Sequence, residues 1–332
     1  MAVPDYSARA AAGAAALQRW YRPRTGLWAG TGWWNAANAL TAVIAFTART
    51  GDPAHAYVIE TTFRRAPRRT PQFLNSFYDD NAWWALAWVA AYDLTGDGRY
   101  LDAARAIFTR NQAGWDATCG GGLWWNTGRR YKNAITSELF LTLAARLHLR
   151  AGGGNGYRDW ALRTWDWLDA SGLIGPSGLV NDGLTPDCAN NGGLTWTYNQ
   201  GVILGGLAAL HEITGDSGYL QRGDAIAWAV LSLLTSPAGV LTEPLEPPGS
   251  TGDETQFKGI FVRYLYDFWQ HRARPEYEAF ILTNAQSIWE NNRNAADEFG
   301  LGWGGPFDRA DASRQSSALD ALNAAAGLAA AP

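Results

Sequence analysis

The chain has 332 residues, 47% hydrophobic and 17% charged, with a formal net charge of -4. That much apolar material sustains a sizeable core and excludes intrinsic disorder, while the mild acidity excludes a nucleic-acid surface. Only Cys119 and Cys188 occur, which excludes a disulfide framework and a four-cysteine metal site, and no apolar run approaches the ~18 residues a membrane-spanning helix needs.

The chain opens with "MAVPDYSARAAAGAAALQRWY", rich in Ala and without a basic segment followed by an unbroken apolar core. It reads as a helix of the fold, not as an export signal. From there helical periodicity dominates, and a turn phrase recurs: "RTGDPAHAY" near 49, "LTGDGRYL" near 94, "RAGGGNGYRDWA" near 150, "ITGDSGYL" near 213 and "HRARPEYEAF" near 271. Glycine in these turns suits a left-handed helix end, and Asp or Asn suits the start of the next helix. Helices are expected to begin near 5, 35, 54, 77, 99, 132, 157, 196, 218, 255, 276 and 312. The basic cluster Arg64, Arg65, Arg68 and Arg69 reads as a solvated turn.

Between the helical pairs run segments rich in Gly, Pro, Asn and Trp: 22–34, 67–76, 114–131, 171–195, 237–253 and 294–311. Six hairpins, with short turns at one end and long loops at the other, predict an all-α protein, a closed (α/α)6 barrel, with an open superhelix as the alternative. Closure is favoured because the first and last helices are both Ala-rich and can pair. No linker is evident, so residues 1–332 are expected to form one domain.

On this reading the long loops and the helix starts that follow them share one face. Those starts are "GWWNAAN", "YDDNAWW", "YKNAITSE", "TYNQG", "ETQFKG" and "SRQSSA". All four histidines, His55, His148, His211 and His271, lie at or beside the opposite turns, and a zinc site or a nucleophile with a His base is not expected there. Carboxylates remain. Asp79 and Asp80 are neighbours in the first turn of a helix, where acids are common simply because they complement its dipole. Yet adjacent helical residues project about 100° apart, so both can face one pocket. The helix N-terminus helps keep one ionised, while the neighbouring charge and aromatic surroundings raise the pKa of the other. Retaining glycoside hydrolysis needs one carboxylate and one carboxylic acid about 5–5.5 Å apart. The 18 Trp, 13 Tyr and 12 Phe supply faces that stack on sugar rings.

"YDDNAWWALAW" (78–88), "CGGGLWWN" (119–126), "YKNAITSELF" (131–140), "WTYNQGVILGGL" (196–207) and "QFKGIFVRYL" (256–265) together resemble glycoside hydrolase family 76, the endo-α-1,6-mannanases. The resemblance runs over roughly residues 15 to 320 and implies an (α/α)6 barrel acting with retention on α-1,6-linked mannan. It implies Asp79 as nucleophile and Asp80 as general acid/base. Trp34, Trp125 and Trp196 are expected to stack on mannose. Asn81 is placed in the site, and Asn133, Asp182, Tyr198, Asn199, Gln200 and Lys258 offer hydrogen bonds to sugar hydroxyls, with helix capping and loop bracing as the alternative for each. Glu138 is read as a buttress one turn deeper, and Ser137 stands where family members often carry Asn. Transfer of the glycan to a second sugar, or mannan binding without catalysis, are the competing functions. No cofactor or metal is expected, and the chain is expected to act as a monomer. With no export signal read in the sequence, the cytoplasm is favoured over secretion. Cys119 and Cys188 lie in two loops of the expected site face, where a disulfide is left open.

Overall fold

The computed structural model describes residues 4–151, 156–246 and 252–330. Among them are twelve α helices: α1 (Tyr6–Leu17), α2 (Trp33–Thr50), α3 (Tyr57–Arg65), α4 (Tyr78–Thr95), α5 (Gly98–Gln112), α6 (Ala134–Ala151), α7 (Tyr157–Ala170), α8 (Thr197–Thr214), α9 (Gly218–Leu233), α10 (Phe257–Trp269), α11 (Pro275–Asn291) and α12 (Ala312–Ala330). Each begins within a few residues of its expected start. One small antiparallel pair, Tyr21–Arg22 with Leu27–Trp28, is added.

The recurrent turn works the same way after α2, α4 and α8. A threonine in the last turn (Thr50, Thr95, Thr214) donates to the carbonyl four residues back, at 2.7–2.8 Å. Its oxygen then accepts the backbone N–H of the aspartate two residues on, at 3.1–3.2 Å. Between them Gly51, Gly96 and Gly215 adopt φ of 71–73°, a conformation that strains any residue with a Cβ. Asp97 then caps α5 by accepting from the Arg99 N–H. The turn read at "AGGGNGY" falls on 152–155, and part of the loop over 237–253 falls on 247–251; both lie outside the described residues.

The chain divides into two compact units. The first contains α1, α2, α3, α10, α11 and α12. Here α12 is the centre, buried along nearly its whole length and packed on α1, α2, α10 and α11. The expected pairing of the first and last helices is thus present. Gly259 lets α10 approach α12 closely: a Cβ there would stand 2.3 Å from the Ser317 carbonyl oxygen. Arg263 joins Asp320 at 3.0 Å and Asn38 at 2.6 Å in the interior, binding α10, α12 and α2. The starts of these helices also meet, with Trp34 Nε1 donating to Asp253 and Gln256 to Ser316.

The second unit contains α4 to α9. α4 packs on α5, α6 on α7 and α8 on α9, and α6 also packs on α4 and α8. Gly206 permits the close α6–α8 contact, since a Cβ would lie 2.7 Å from Leu141. The loops are less irregular than the sequence suggests. Short antiparallel bridges close them at Trp115–Leu123, Ile174–Val180 and Leu184–Asn190. Further bridges, Phe77–Asn126 and Asn133–Gly183, pin the loops to the starts of α4 and α6.

Candidate active site

α4 starts at Tyr78 after an extended Phe77, and Asp79 and Asp80 occupy its first turn. Both are half-buried, but one oxygen of Asp79, Oδ1, is enclosed and has no hydrogen-bond partner among the described residues. The other, Oδ2, accepts from Trp125 Nε1 at 2.9 Å. Burial first, and the neighbouring Asp80 charge second, push the Asp79 carboxyl up to about 8, against the opposing effect of the helix N–H groups and the indole. Asp80 Oδ2 accepts from Asn75 Nδ2 at 2.6 Å. Two adjacent carboxyls in such an enclosure titrate as a pair, so the pair holds one proton near neutral pH.

Trp125 is held by its own backbone: Tyr78 N–H donates to its carbonyl, and its N–H donates to the Tyr131 carbonyl. The residue is 37% exposed, and its ring lies 5.0 Å from that of Phe77 and 6.3 Å from that of Tyr131, centre to centre. A large, partly exposed indole with its N–H on a carboxylate combines apolar surface with a charge anchor. The loop that presents it is knotted around Lys132. That buried ammonium donates to Asp116 Oδ1 at 2.9 Å and to the carbonyls of Thr118, Gly121 and Gly122 at 2.6–3.0 Å. Trp124 Nε1 donates to the second Asp116 oxygen, and these donors hold the Asp116 carboxyl well below the usual range. Cys119 in this loop is disulfide-bonded to Cys188 in the next long loop, which decides the question the sequence left open.

Beyond Trp125, Tyr131 OH donates to Asp182 Oδ2 and accepts from Asn191. Asp182 also accepts from Trp196, yet its burial still raises its pKa. Glu138, one turn into α6, is fully buried with neither oxygen paired among the described residues. Desolvation, with Asp182 adding to it, lifts its pKa well above its ordinary value. Asn199 in the first turn of α8 is equally buried, and neither amide atom has a partner among the described residues.

The expected residues thus separate. Asp79, Asp80, Trp125, Asp182, Trp196, Tyr198 and Asn199 belong to the second unit and lie at helix starts or in the loops before them. Trp196 and Tyr198 are half-buried. Four residues read as sugar contacts make hydrogen bonds within the protein. Asn81, 1% exposed, accepts the Asn75 N–H and donates to the Asn75 carbonyl and to Asn111. Gln200 clamps Val180 by both its N–H and its carbonyl and also donates to the Trp196 carbonyl. Asn133 accepts from Thr136 at the start of α6. Lys258, in the first unit, is buried between Glu246, the Leu301 carbonyl and the Trp303 ring. Trp34, also in the first unit, is half-buried and bonded to Asp253. Asn75 and Tyr131 escaped sequence reasoning as contributors. The only signal for Asn75 was its place five residues before Asp80.

The arrangement is a carboxylate pair under an indole donor on an all-α scaffold, with no group of His, Cys, Asp and Glu suited to a metal among the described residues. The model of glycosyl hydrolase family 76 matches residues 6–331, and the chain belongs to this family. The alpha-1,6-mannanase of Salegentibacter sp. HEL1_6 superposes with a TM-score of 0.88 at 28% identity, covering 97% of this chain and 99% of that one. An inactive variant of that mannanase, with two consecutive aspartates replaced by alanine and alpha-1,6-mannotetrose bound, gives 0.87 at 27% identity over 97% and 99% of the two chains. The all-α (α/α)6 barrel expected from the helix count is the fold of this chain. Mannan endo-1,6-alpha-mannosidase DCW1 of Candida albicans is 33% identical over 207 residues, 56% of this chain and 46% of that protein. Its Saccharomyces cerevisiae counterpart is 33% identical over 205 residues, 56% and 45%. The chain spans about half the length of the curated relatives it matches.

Proposed function

We propose that the protein is a retaining glycoside hydrolase that cleaves α-1,6-mannosidic linkages within mannan backbones. The observation that carries this reading is the Asp79–Asp80 pair in the first turn of α4, each carboxyl held by a separate donor, Trp125 for Asp79 and Asn75 for Asp80. It is the only pair of consecutive aspartates in the sequence. In the Salegentibacter mannanase, replacement of two consecutive aspartates accompanies loss of activity with α-1,6-mannotetrose bound, which supports the same pair and the same linkage here.

The chemistry follows from one shared proton. With that proton moved to Asp80, against the burial that pushes Asp79 up to about 8, the Asp79 carboxylate attacks the anomeric carbon. The bond from that carbon to the glycosidic oxygen breaks, and the oxygen takes the Asp80 proton. Asp80, now ionised, removes a proton from water, whose oxygen displaces Asp79 from the anomeric carbon. The Trp125 N–H and the N–H groups of the α4 start favour negative charge on Asp79, the state the attack requires. Trp125, Trp196 and Tyr198 offer sugar-stacking and hydroxyl contacts, and Asp182 a carboxylate oriented by Tyr131. The Cys119–Cys188 disulfide supports an oxidising compartment as the place of action, against the cytoplasmic expectation.

Asp79→Asn and Asp80→Asn test the assignment on linear α-1,6-mannooligosaccharides. Each is expected to lower turnover by at least about a thousandfold while binding persists. Near-native turnover in either variant refutes it, and products longer than the substrate show transfer to sugar in place of hydrolysis.

A further inference from the structure

We infer that Asn75 is a positioning residue that confines the transferable proton of the carboxyl beside it to Asp80 Oδ1. This rests on the proposed role of Asp80 as acid/base. The direction of the Asn75 amide is fixed by the structure: its Oδ1 accepts the Phe77 N–H at 2.8 Å, which turns Nδ2 toward Asp80 Oδ2 at 2.6 Å. A flipped amide would set its NH2 against the Phe77 N–H, two donors facing each other.

The backbone of Asn75 is itself locked. Its N–H donates to Asn81 Oδ1 at 2.8 Å, and its carbonyl accepts from Asn81 Nδ2. Asn81 Nδ2 also faces Asn111 Oδ1, and Asn111 Nδ2 donates to the Tyr78 carbonyl at 2.7 Å. Asn81 and Asn111 are both buried. Three asparagines thus run from the last turn of α5 to the carboxyl of Asp80. Amides suit this task because none of them changes charge between the steps of a catalytic cycle.

The chemical consequence is specific. An amide N–H on Oδ2 takes one of its lone pairs and makes it the less basic oxygen, so in both halves of the reaction the proton is held on Oδ1. The proton that leaves for the glycosidic oxygen, and the one taken later from water, both travel through Oδ1. The donor also stabilises the ionised form of Asp80, which the water-activating step requires. The turn itself carries Tyr78 and Asp79; α5, packed on α4, carries Arg110 in the same last turn as Asn111, α6 carries Glu138, and through Trp125 the turn is bonded onward to Tyr131, which holds Asp182. Removing the Asn75 amide takes nothing from Glu138, Tyr131 or Asp182, and it reaches Asp79 only through Asp80, with which it titrates as a pair.

The test uses two variants that both keep an oxygen for the Phe77 N–H. Asn75→Ser is too short to reach Asp80, and Asn75→Asp is isosteric but donates nothing once ionised. Both are compared with the native chain by the pH dependence of kcat/KM on a linear α-1,6-mannooligosaccharide, with folding checked by circular dichroism. The expected result is an alkaline limb moved upward by about one pH unit in Asn75→Ser and further in Asn75→Asp. The turnover number should fall at least about tenfold with KM within about twofold. A turnover loss in both folded variants with the alkaline limb unmoved shows a purely structural role and overturns the inference, as does native activity in either. Failure of the underlying reading is seen separately, as activity surviving in Asp79→Asn or Asp80→Asn.

Discussion

Trp125 Nε1 donates to Asp79 Oδ2 across 2.9 Å, from an exposed loop to the first turn of a buried helix. The bond ties the site's most exposed aromatic surface to the ionisation of one carboxyl. Asp79 pays a desolvation cost when charged, and among the described residues this indole is the side chain whose N–H is set against that cost. Phenylalanine in its place keeps a ring beside Phe77 and Tyr131 and removes only the donor. Trp125→Phe is therefore expected to lower kcat/KM by about 10- to 100-fold. Losing a donor to the carboxylate raises the Asp79 pKa, so both limbs of the pair's pH profile move up. An unchanged acidic limb would detach the indole from the chemistry.

On the proposed reading, the native protein should lose activity on the alkaline side. The pair must hold one proton for the acid step, and with Asp79 pushed up to about 8, that proton is lost as pH rises through this region. A kcat/KM profile should fall above roughly pH 8, as a macroscopic property of both aspartates. Continued activity at pH 10 would mean that another group supplies the proton.

Glu138 is predicted to titrate far from its ordinary range, and its stability signature has a definite sign. Its folded pKa is raised by burial, so its contribution is fully present below the unfolded value and is lost as pH rises toward the folded one. Glu138→Gln removes the ionisation while preserving shape. The variant should match the native Tm within about 2 °C near pH 4 and exceed it by several degrees near pH 8. A variant less stable at both values would show that the carboxyl is paired and charged.

The Cys119–Cys188 disulfide closes a sequence separation of 69 residues between the loop bearing Trp125 and the loop bearing Asp182. Replacing both cysteines with serine should lower stability by about 2–4 kcal/mol, measured by denaturant unfolding, because a long loop is freed in the unfolded chain. A loss below about 0.5 kcal/mol would show that the Lys132 knot and the neighbouring bridges hold the two loops without it.

The helices were legible because their signals are local. The Thr-Gly-Asp turn states its own geometry, a threonine bonded back, a glycine at positive φ and an aspartate capping onward, and it announces three hairpins in the letters alone. Asp79 and Asp80 were legible through their family resemblance and their position in a helix start. The roles of the amides were not. Asn81, Asn133 and Gln200 stand in the resembling segments, and nothing in one sequence tells an amide facing sugar from one clamping a backbone strand. Which it does depends on residues far away in the chain, such as Asn111 for Asn81 and Val180 for Gln200. The partners of Lys258 were hidden for the same reason, since Glu246 and Leu301 come from other loops. The Lys132 knot stayed hidden because most of its partners are backbone carbonyls, which have no letter in the sequence.

The most direct test of the central claim is the anomeric form of the first product. Proton NMR of a linear α-1,6-mannooligosaccharide, followed from the first minutes of digestion, reads the configuration of the newly released reducing end before mutarotation scrambles it. Attack by Asp79 followed by water activated at Asp80 predicts the α anomer first, with β appearing only as it equilibrates. First release of the β anomer would mean direct displacement by water and would contradict Asp79 as the nucleophile.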